Sequence, residues 1–226
     1  MSAEALLSLL QVSDTAFPTG AFAHSMGLEA FYDAGELKEA GDLRWFAELS
    51  LNSMATSDCV ALRAAYGADS IKELTRIDKL LTATKLTREL RKAGAATGRR
   101  FLASVEAMGV GDDLLSGFGA SVKDGRSPGN LAVGFGVAAP ALDAELSDVL
   151  YAYLYSTVAS LVAAGQKLIP LGGSTAQRVL YGLQVEISGA VSISKNLQVD
   201  GMYAFAPTVD VRSMLHERQR IRLYIS

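Results

Sequence analysis

The neighbouring residues His24 and Ser25 have the side-chain types of a base and a nucleophile. A histidine can take a proton from a serine hydroxyl when the two side chains are hydrogen-bonded to each other. Adjacent positions in a chain do not create that geometry by themselves. We therefore predict that the chain is not an enzyme, and we keep a small hydrolase that uses His24 and Ser25 as an alternative hypothesis.

Metal-ligating side chains are few and lie far apart in the sequence. The histidines are His24 and His216, and the single cysteine is Cys59, so no paired-Cys motif and no His pair one helical turn apart is present. A lone cysteine between Asp58 and Val60 is more often a small buried hydrophobe than a nucleophile. We predict no metal site and no cofactor, and a chaperone that itself binds nickel remains a second alternative.

Short glycine pairs raise the question of nucleotide binding. They lie at 109/111, 117/119 and 134/136. None continues into the Gly-Lys-Ser/Thr ending of a phosphate-binding loop, and none has a third glycine at the dinucleotide-binding spacing. Tight turns and close helix packing account for them, so we predict no nucleotide hydrolysis by this chain.

Composition limits the class of protein. The chain has 226 residues, half of them apolar, and a formal net charge of −3. This length favours one large domain, and the absence of a basic excess argues against nucleic-acid binding. No run approaches the roughly 18 apolar residues that span a bilayer, and the first ten residues lack the positive charge of a secretion signal. We predict a cytoplasmic protein that binds neither membrane nor nucleic acid.

Helical spacing dominates the elements that must position these residues. Asp42 and Ser70 each precede apolar residues spaced three and four apart, and Glu73 completes a capping box with Ser70. The clearest apolar stripe starts at Asp143 or Ser147 and continues to Val162. Residues 183–193 alternate apolar and polar, which is typical of a strand, but they also fit helical spacing. The pattern leaves that segment open.

Residues 14–29 form the first segment that stands out. Pro18 fixes its own φ, and Gly20 can turn where a side chain could not. A helix is predicted from about Ala21, with His24 and Ser25 near its polar side. Two interpretations remain open, an ordinary entry from loop to helix and a binding site.

Residues 163–177 form the second segment. Pro170 stops one helix, the glycines at 172 and 173 turn the chain, and Ser174 can cap the next helix. Lys167 precedes the break, where a cation interacts favourably with the negative end of a helix. The segment is either a corner between helices or a charged corner offered to a partner.

Residues 210–226 form the third segment. Four arginines occur there with only two acidic residues, and the chain then becomes apolar at 223–225. Arginine and tyrosine are favoured anchors in protein interfaces. We therefore predict that the end of the chain docks on a partner, against the alternative of a frayed, solvated tail.

These three segments, in this order, resemble the UreF family of urease accessory proteins. The family's N-terminal, central and C-terminal patterns are matched in turn by Pro18, Gly20, Phe22, Ser25, Gly27, Leu28 and Glu29; by Lys167, Leu168, Pro170, Leu171, Gly172 and Gln177; and by His216, Glu217, Gln219, Arg222, Leu223, Tyr224 and Ser226. Residues 87–91 and 98–99 add a weaker match. Gly173, Leu215 and Leu131 depart from the family pattern.

The resemblance implies an all-α fold with one compact helical domain (1–208) and an extended, partner-docking tail (209–226), and it favours a helix over 183–193. It also implies a homodimer and a complex with the accessory protein UreD (UreH in some organisms), the GTPase UreG and apo-urease, for nickel insertion. The partner-binding residues that it implies are Pro18, Gly20, His24, Ser25, Glu29, Lys167, Gln177, His216, Glu217, Gln219, Arg222, Leu223, Tyr224 and Ser226.

Overall fold

The computed structural model describes residues 1–217 and 223–224, and this part of the chain is all-α, as predicted. Three short 3-10 helices lie at Ala21–Ala23, Pro140–Leu142 and Val199–Gly201. The α-helices are α1 (Ala3–Ser13), α2 (Leu28–Asp33), α3 (Ala40–Thr56), α4 (Asp58–Tyr66), α5 (Ile71–Thr84), α6 (Arg88–Ala107), α7 (Asp113–Lys123), α8 (Leu131–Ala138), α9 (Leu146–Leu168), α10 (Gly173–Gly182), α11 (Gln184–Ser194) and α12 (Pro207–His216).

Helix α8 is at the centre of the core. It is buried from Ala132 to Ala138 and packs against α4, α5, α6, α7 and α9. Its closest neighbour is α4, because a Cβ at Gly136 would lie 2.4 Å from the carbonyl oxygen of Leu62. One of the three glycine pairs therefore supports close helix packing, as the sequence indicated.

Helix α9 forms the second layer and contacts α1, α2, α3, α4, α8, α10 and α11. It continues through Gly165, where a Cβ would lie 2.7 Å from the side chain of Leu43. By length and composition alone α9 is long and apolar enough to cross a bilayer, which the sequence analysis did not anticipate. Its contacts with seven other α-helices show that it packs within this fold.

Helix starts agree with the sequence in part. Ser70 caps α5, and its Oγ accepts a hydrogen bond from the amide of Glu73. The prediction that Asp42 caps α3 is wrong, because Glu39 is the cap and Asp42 lies in the first turn. Asp42 completes a capping box by accepting from the Glu39 amide. Helix α9 likewise begins at Leu146 rather than after Asp143 or Ser147.

The ambiguous segment 183–193 is helical, as the family resemblance favoured. Helix α11 buries Ile187, Ala190 and Val191 against α3 and α9. The alternation of apolar and polar residues indicated a strand only because Val185 and Ile193 are apolar, and both are exposed in the helix. Tertiary packing therefore decided between two periods that both fit the residues.

Candidate partner-binding site

The imidazole of His216 is fully buried between two carboxylates. It is the last residue of α12, its Nε2 lies 3.0 Å from Oε2 of Glu29, and its Nδ1 lies 2.9 Å from Oε2 of Glu89. Ionised carboxylates only accept hydrogen bonds, so both contacts form together when both ring nitrogens carry hydrogen. His216 thus joins α12 to α2 and to α6.

Glu29 also holds residues near the end of the chain. Its Oε1 accepts a hydrogen bond from the amide of Leu223 at 2.5 Å, and its Oε2 accepts from the amide of Tyr224 at 2.9 Å. The carboxylate is buried in the first turn of α2. Since backbone amides and an imidazole share one carboxylate, α12 and residues 223–224 are fixed at the same point.

Tyr224 extends this contact to the corner after α9. Its side chain is buried, and its hydroxyl donates to the carbonyl oxygen of Ala164 at 3.3 Å. The ammonium of Lys167 lies 5.9 Å from the centroid of its ring, which is a cation–π distance. Burial, and to a lesser extent the charge of Glu29, raise the pKa of Tyr224 above its ordinary value.

The start of α6 completes the site. Thr87 caps α6 by accepting from the amide of Leu90, and its hydroxyl lies 3.3 Å from that of Ser213 on α12. Glu217 forms an ion pair with Arg88. The N-terminal segment, the corner after α9 and the C-terminus therefore meet at one place, which we call the junction and define by Glu29, Glu89, Lys167, His216 and Tyr224.

The N-terminal segment reaches the junction by a turn rather than by the predicted helix from Ala21. Gly20 has φ +71°, and a 3-10 turn follows it before α2 begins at Leu28. Ser25 is fully buried, and its Oγ accepts from the amide of Glu29 at 3.3 Å. Burial, with a smaller contribution from the cation of Arg100, lowers the pKa of His24.

The other implied partner-binding residues lie as follows. Pro18 is exposed in the N-terminal segment, Gln177 is exposed on α10, and Leu223 is exposed beside the buried Tyr224. Gln219, Arg222 and Ser226 lie outside the described residues. The boundary predicted between 208 and 209 falls inside α12, which packs on α2 and α6.

Sequence reasoning missed Glu89 as a site residue, although it lies in the weakly matched tract 87–91. Its only local signal is a threonine cap two residues earlier, which many helices share.

Residues 125–129 carry a Gly-x-Ser-x-Gly spacing, which marks a nucleophile turn in many hydrolases. Here Ser127 is buried between α7 and α8, and its hydroxyl donates to Asp78 at 2.6 Å, so the spacing serves packing.

The fold and the junction define an all-α protein whose distant segments are gathered at one partly exposed site. A sequence model of the UreF family matches residues 37–184. Similar proteins, each described as urease accessory protein UreF, occur in Kocuria rhizophila (34% identity, covering 98% of this chain and 97% of the relative) and in Corynebacterium glutamicum (33% identity, covering 100% of both). Another, in an Arthrobacter species, is 35% identical and covers 97% of this chain and 96% of the relative.

The chain therefore belongs to the UreF family of urease accessory proteins. Membership confirms the resemblance drawn from the three segments. It also places the chain among proteins that are named as urease accessory proteins. Among the described residues, no group of three or more His, Cys, Asp or Glu side chains is arranged to hold a metal ion.

Proposed function

We propose that this protein bridges a UreD/UreH-type accessory protein and a UreG-type GTPase while nickel is inserted into apo-urease. It acts in the cytoplasm as a homodimer and catalyses no reaction itself. The C-terminal part of the junction, at Tyr224 and its neighbour Leu223, is the surface for the UreD/UreH-type partner, and the exposed corner at Lys167 recruits the GTPase. Membership of the UreF family supports this role.

The convergence of the three family-patterned segments is the observation that carries the proposal. The three segments are far apart in sequence, yet residues of all three contact one another at the junction. At the junction the buried Tyr224 anchors the chain beside the exposed side chain of Leu223. A fixed backbone next to an exposed apolar side chain is a preorganised contact, because little conformational entropy is lost when a partner covers it.

The geometry disfavours the hydrolase alternative. Ser25 has 0% exposure, and its hydroxyl is hydrogen-bonded within its own turn, so a substrate cannot reach it without unfolding that turn. The pKa of His24 is lowered, which also weakens it as a base. In the nickel-binding alternative His216 would have to leave both carboxylates that hold its ring.

Co-expression with the two expected partners, followed by size-exclusion chromatography, tests the proposal. The informative variant is Leu223→Asp, because Leu223 is 65% exposed and we expect its replacement to leave the fold intact. Leu7→Asp is the matched control, since Leu7 is also 65% exposed but lies on α1. We expect only the Leu223 variant to lose the UreD/UreH-type partner.

Three results bear on the parts of the proposal separately. A wild-type chain that elutes alone in the presence of both partners would contradict the bridging role. Normal complex formation by the Leu223 variant would remove the junction from the interface. Turnover of model esters by the wild-type chain, abolished by His24→Ala, would instead support the hydrolase.

A further inference from the structure

A cavity of about 160 Å³ lies between α3, α6, α9 and the segment that leads into α12. Its walls are largely apolar, and they include Met54, Leu90, Phe135 and Leu161. An apolar cavity of about 150 Å³ is large enough to hold benzene. This cavity can therefore receive one long side chain.

The charged residues that line the cavity are predominantly acidic. Lys85 pairs with Asp58 at 3.1 Å, and the hydroxyl of Tyr153 lies 3.2 Å from the same carboxylate oxygen, so this part of the wall is internally neutralised. Asp14 and Asp210 also line the cavity. In the described part of the chain neither of them forms an ion pair, so the lining carries uncompensated negative charge.

Asp210 is the better placed of these two carboxylates. It lies in the first turn of α12 and is half-buried at the cavity. Desolvation by burial raises the pKa of Asp210. A cation brought next to this carboxylate would offset its desolvation, because an opposite charge favours the ionised form.

Two exposed aromatic side chains, which we call the rim, alternate in sequence with residues that line the cavity. Residues 202–206 form neither a helix nor a strand. Ala204 and Ala206 line the cavity, whereas Tyr203 and Phe205 are exposed. Thr56 holds this segment by accepting from the amide of Tyr203 and donating its hydroxyl to the Tyr203 carbonyl at 2.7 Å. Aromatic faces attract cations, so the rim has the same preference as the acidic lining.

We propose that this cavity, the acidic socket, receives one arginine side chain from a protein partner. The aliphatic part of the arginine lies against the apolar walls, and its guanidinium reaches Asp210 and Asp14. Arginine fits better than lysine because a planar guanidinium stacks on aromatic rings and bonds a carboxylate through two donors.

The chemistry of the socket is tested on the full chain with n-butylguanidinium, and n-butylurea serves as a nearly isosteric neutral control. The methionine methyl groups, labelled with ¹³C, are the NMR reporters. Met26 and Met54 line the cavity, and Met108 does not. With n-butylguanidinium we expect saturable chemical-shift changes at Met26 and Met54 and no change at Met108. We expect n-butylurea to bind about tenfold more weakly, because it lacks the charge that strengthens a hydrogen bond to a carboxylate.

Matched variants locate the charge that is responsible. Asp210→Asn keeps the shape of the side chain and should lower the affinity for n-butylguanidinium by about tenfold. Asp113→Asn removes an exposed carboxylate on α7 and should leave the affinity unchanged. Equal binding of the two probes, binding unaffected by Asp210→Asn, or no binding at all would overturn the socket.

The class of partner is tested by competition, and this arm alone rests on the proposed function. Binding of the wild-type chain to a UreD/UreH-type protein is measured first, and its absence counts against the proposed function rather than the socket. Where binding occurs, we expect excess n-butylguanidinium and Asp210→Asn each to weaken it. Unchanged protein binding alongside specific binding of the small cation would show a small-molecule site and overturn the assignment to a partner's arginine.

Discussion

The ring of His216 and the carboxylate of Glu29 are 3.0 Å apart, although 187 positions separate them in the chain. This contact joins α2, near the start of the chain, to the last residue of α12. The carboxylate of Glu29 also accepts hydrogen bonds from the backbone amides of Leu223 and Tyr224. Residues 223–224 of the predicted docking tail are thus held within the fold by hydrogen bonds to the buried carboxylate of Glu29.

Replacement of His216 should destabilise the whole fold. In His216→Ala the carboxylates of Glu29 and Glu89 remain buried and face each other without the ring. Removing one partner of a buried charged group typically costs about 3–5 kcal/mol. Urea unfolding measures the loss, and Gln177→Ala, an exposed change on α10, should stay within about 0.5 kcal/mol of wild type. A decrease in the free energy of unfolding below about 1 kcal/mol would show that the contacts of His216 with Glu29 and Glu89 do not stabilise the fold.

Replacement of Lys167 should separate stability from recruitment. Lys167 is exposed, and its cation–π contact with Tyr224 contributes about 0.5–1 kcal/mol, so Lys167→Ala should unfold at nearly the wild-type urea concentration. The same variant should recruit the UreG-type GTPase less well in a pull-down. Lys123→Ala, an exposed change on α7, is the control. Full GTPase recruitment and full urease activation by the Lys167 variant would exclude this residue from the site.

Two glycine substitutions should have opposite effects. A Cβ at Gly98 in α6 would lie 2.1 Å from the carbonyl oxygen of Gly129, and backbone cannot yield as a side-chain end can. Gly98→Ala should therefore lower the free energy of unfolding by about 3 kcal/mol. Gly189 in α11 has open space, so Gly189→Ala should raise it by about 0.5–1 kcal/mol. Thermal and urea unfolding measure the stability of both variants. Similar free energies of unfolding for the two variants would contradict the close packing of α6 on the loop before α8.

Acid should destabilise the protein partly through His24. The pKa of His24 is lower in the folded state than its ordinary value because burial disfavours the charged ring. Its contribution to stability is therefore complete above the unfolded-state pKa of about 6.5 and is lost as the pH falls through the folded-state pKa. We expect the stability of wild type to fall more steeply than that of His24→Gln as the pH is lowered from 7.5. Parallel pH profiles of the two proteins would contradict this expectation.

The helical class and several helix ends were predictable because their signals are local. The Ser70 cap and the apolar face of α5 depend on residues within a few positions of one another. Errors arose where two local solutions competed. Glu39 and Asp42 both carry a carboxylate that can cap α3, and the sequence does not show at which of the two residues the helix begins.

The candidate site was predictable only as separate segments. The family pattern pointed to Glu29, Lys167 and His216, but spacing along the chain does not show that they converge. Glu89 has no pattern of its own beyond a helix start. A residue's role at such a site depends on which distant side chain faces it, and that information is absent from a local window.

The sequence by itself determined the helical class, the family and the three segments that matter, because periodicity, capping and short patterns are properties of neighbouring residues. Only the tertiary structure decided that His216 is held by Glu29 and Glu89, that Ser25 is inaccessible, and that Asp210 faces a cavity. Those facts depend on burial and on contacts between residues far apart in the chain. Packing of α12 on α2 and α6 brings the residues of the junction together, and the residues next to each of them in the sequence do not specify that packing.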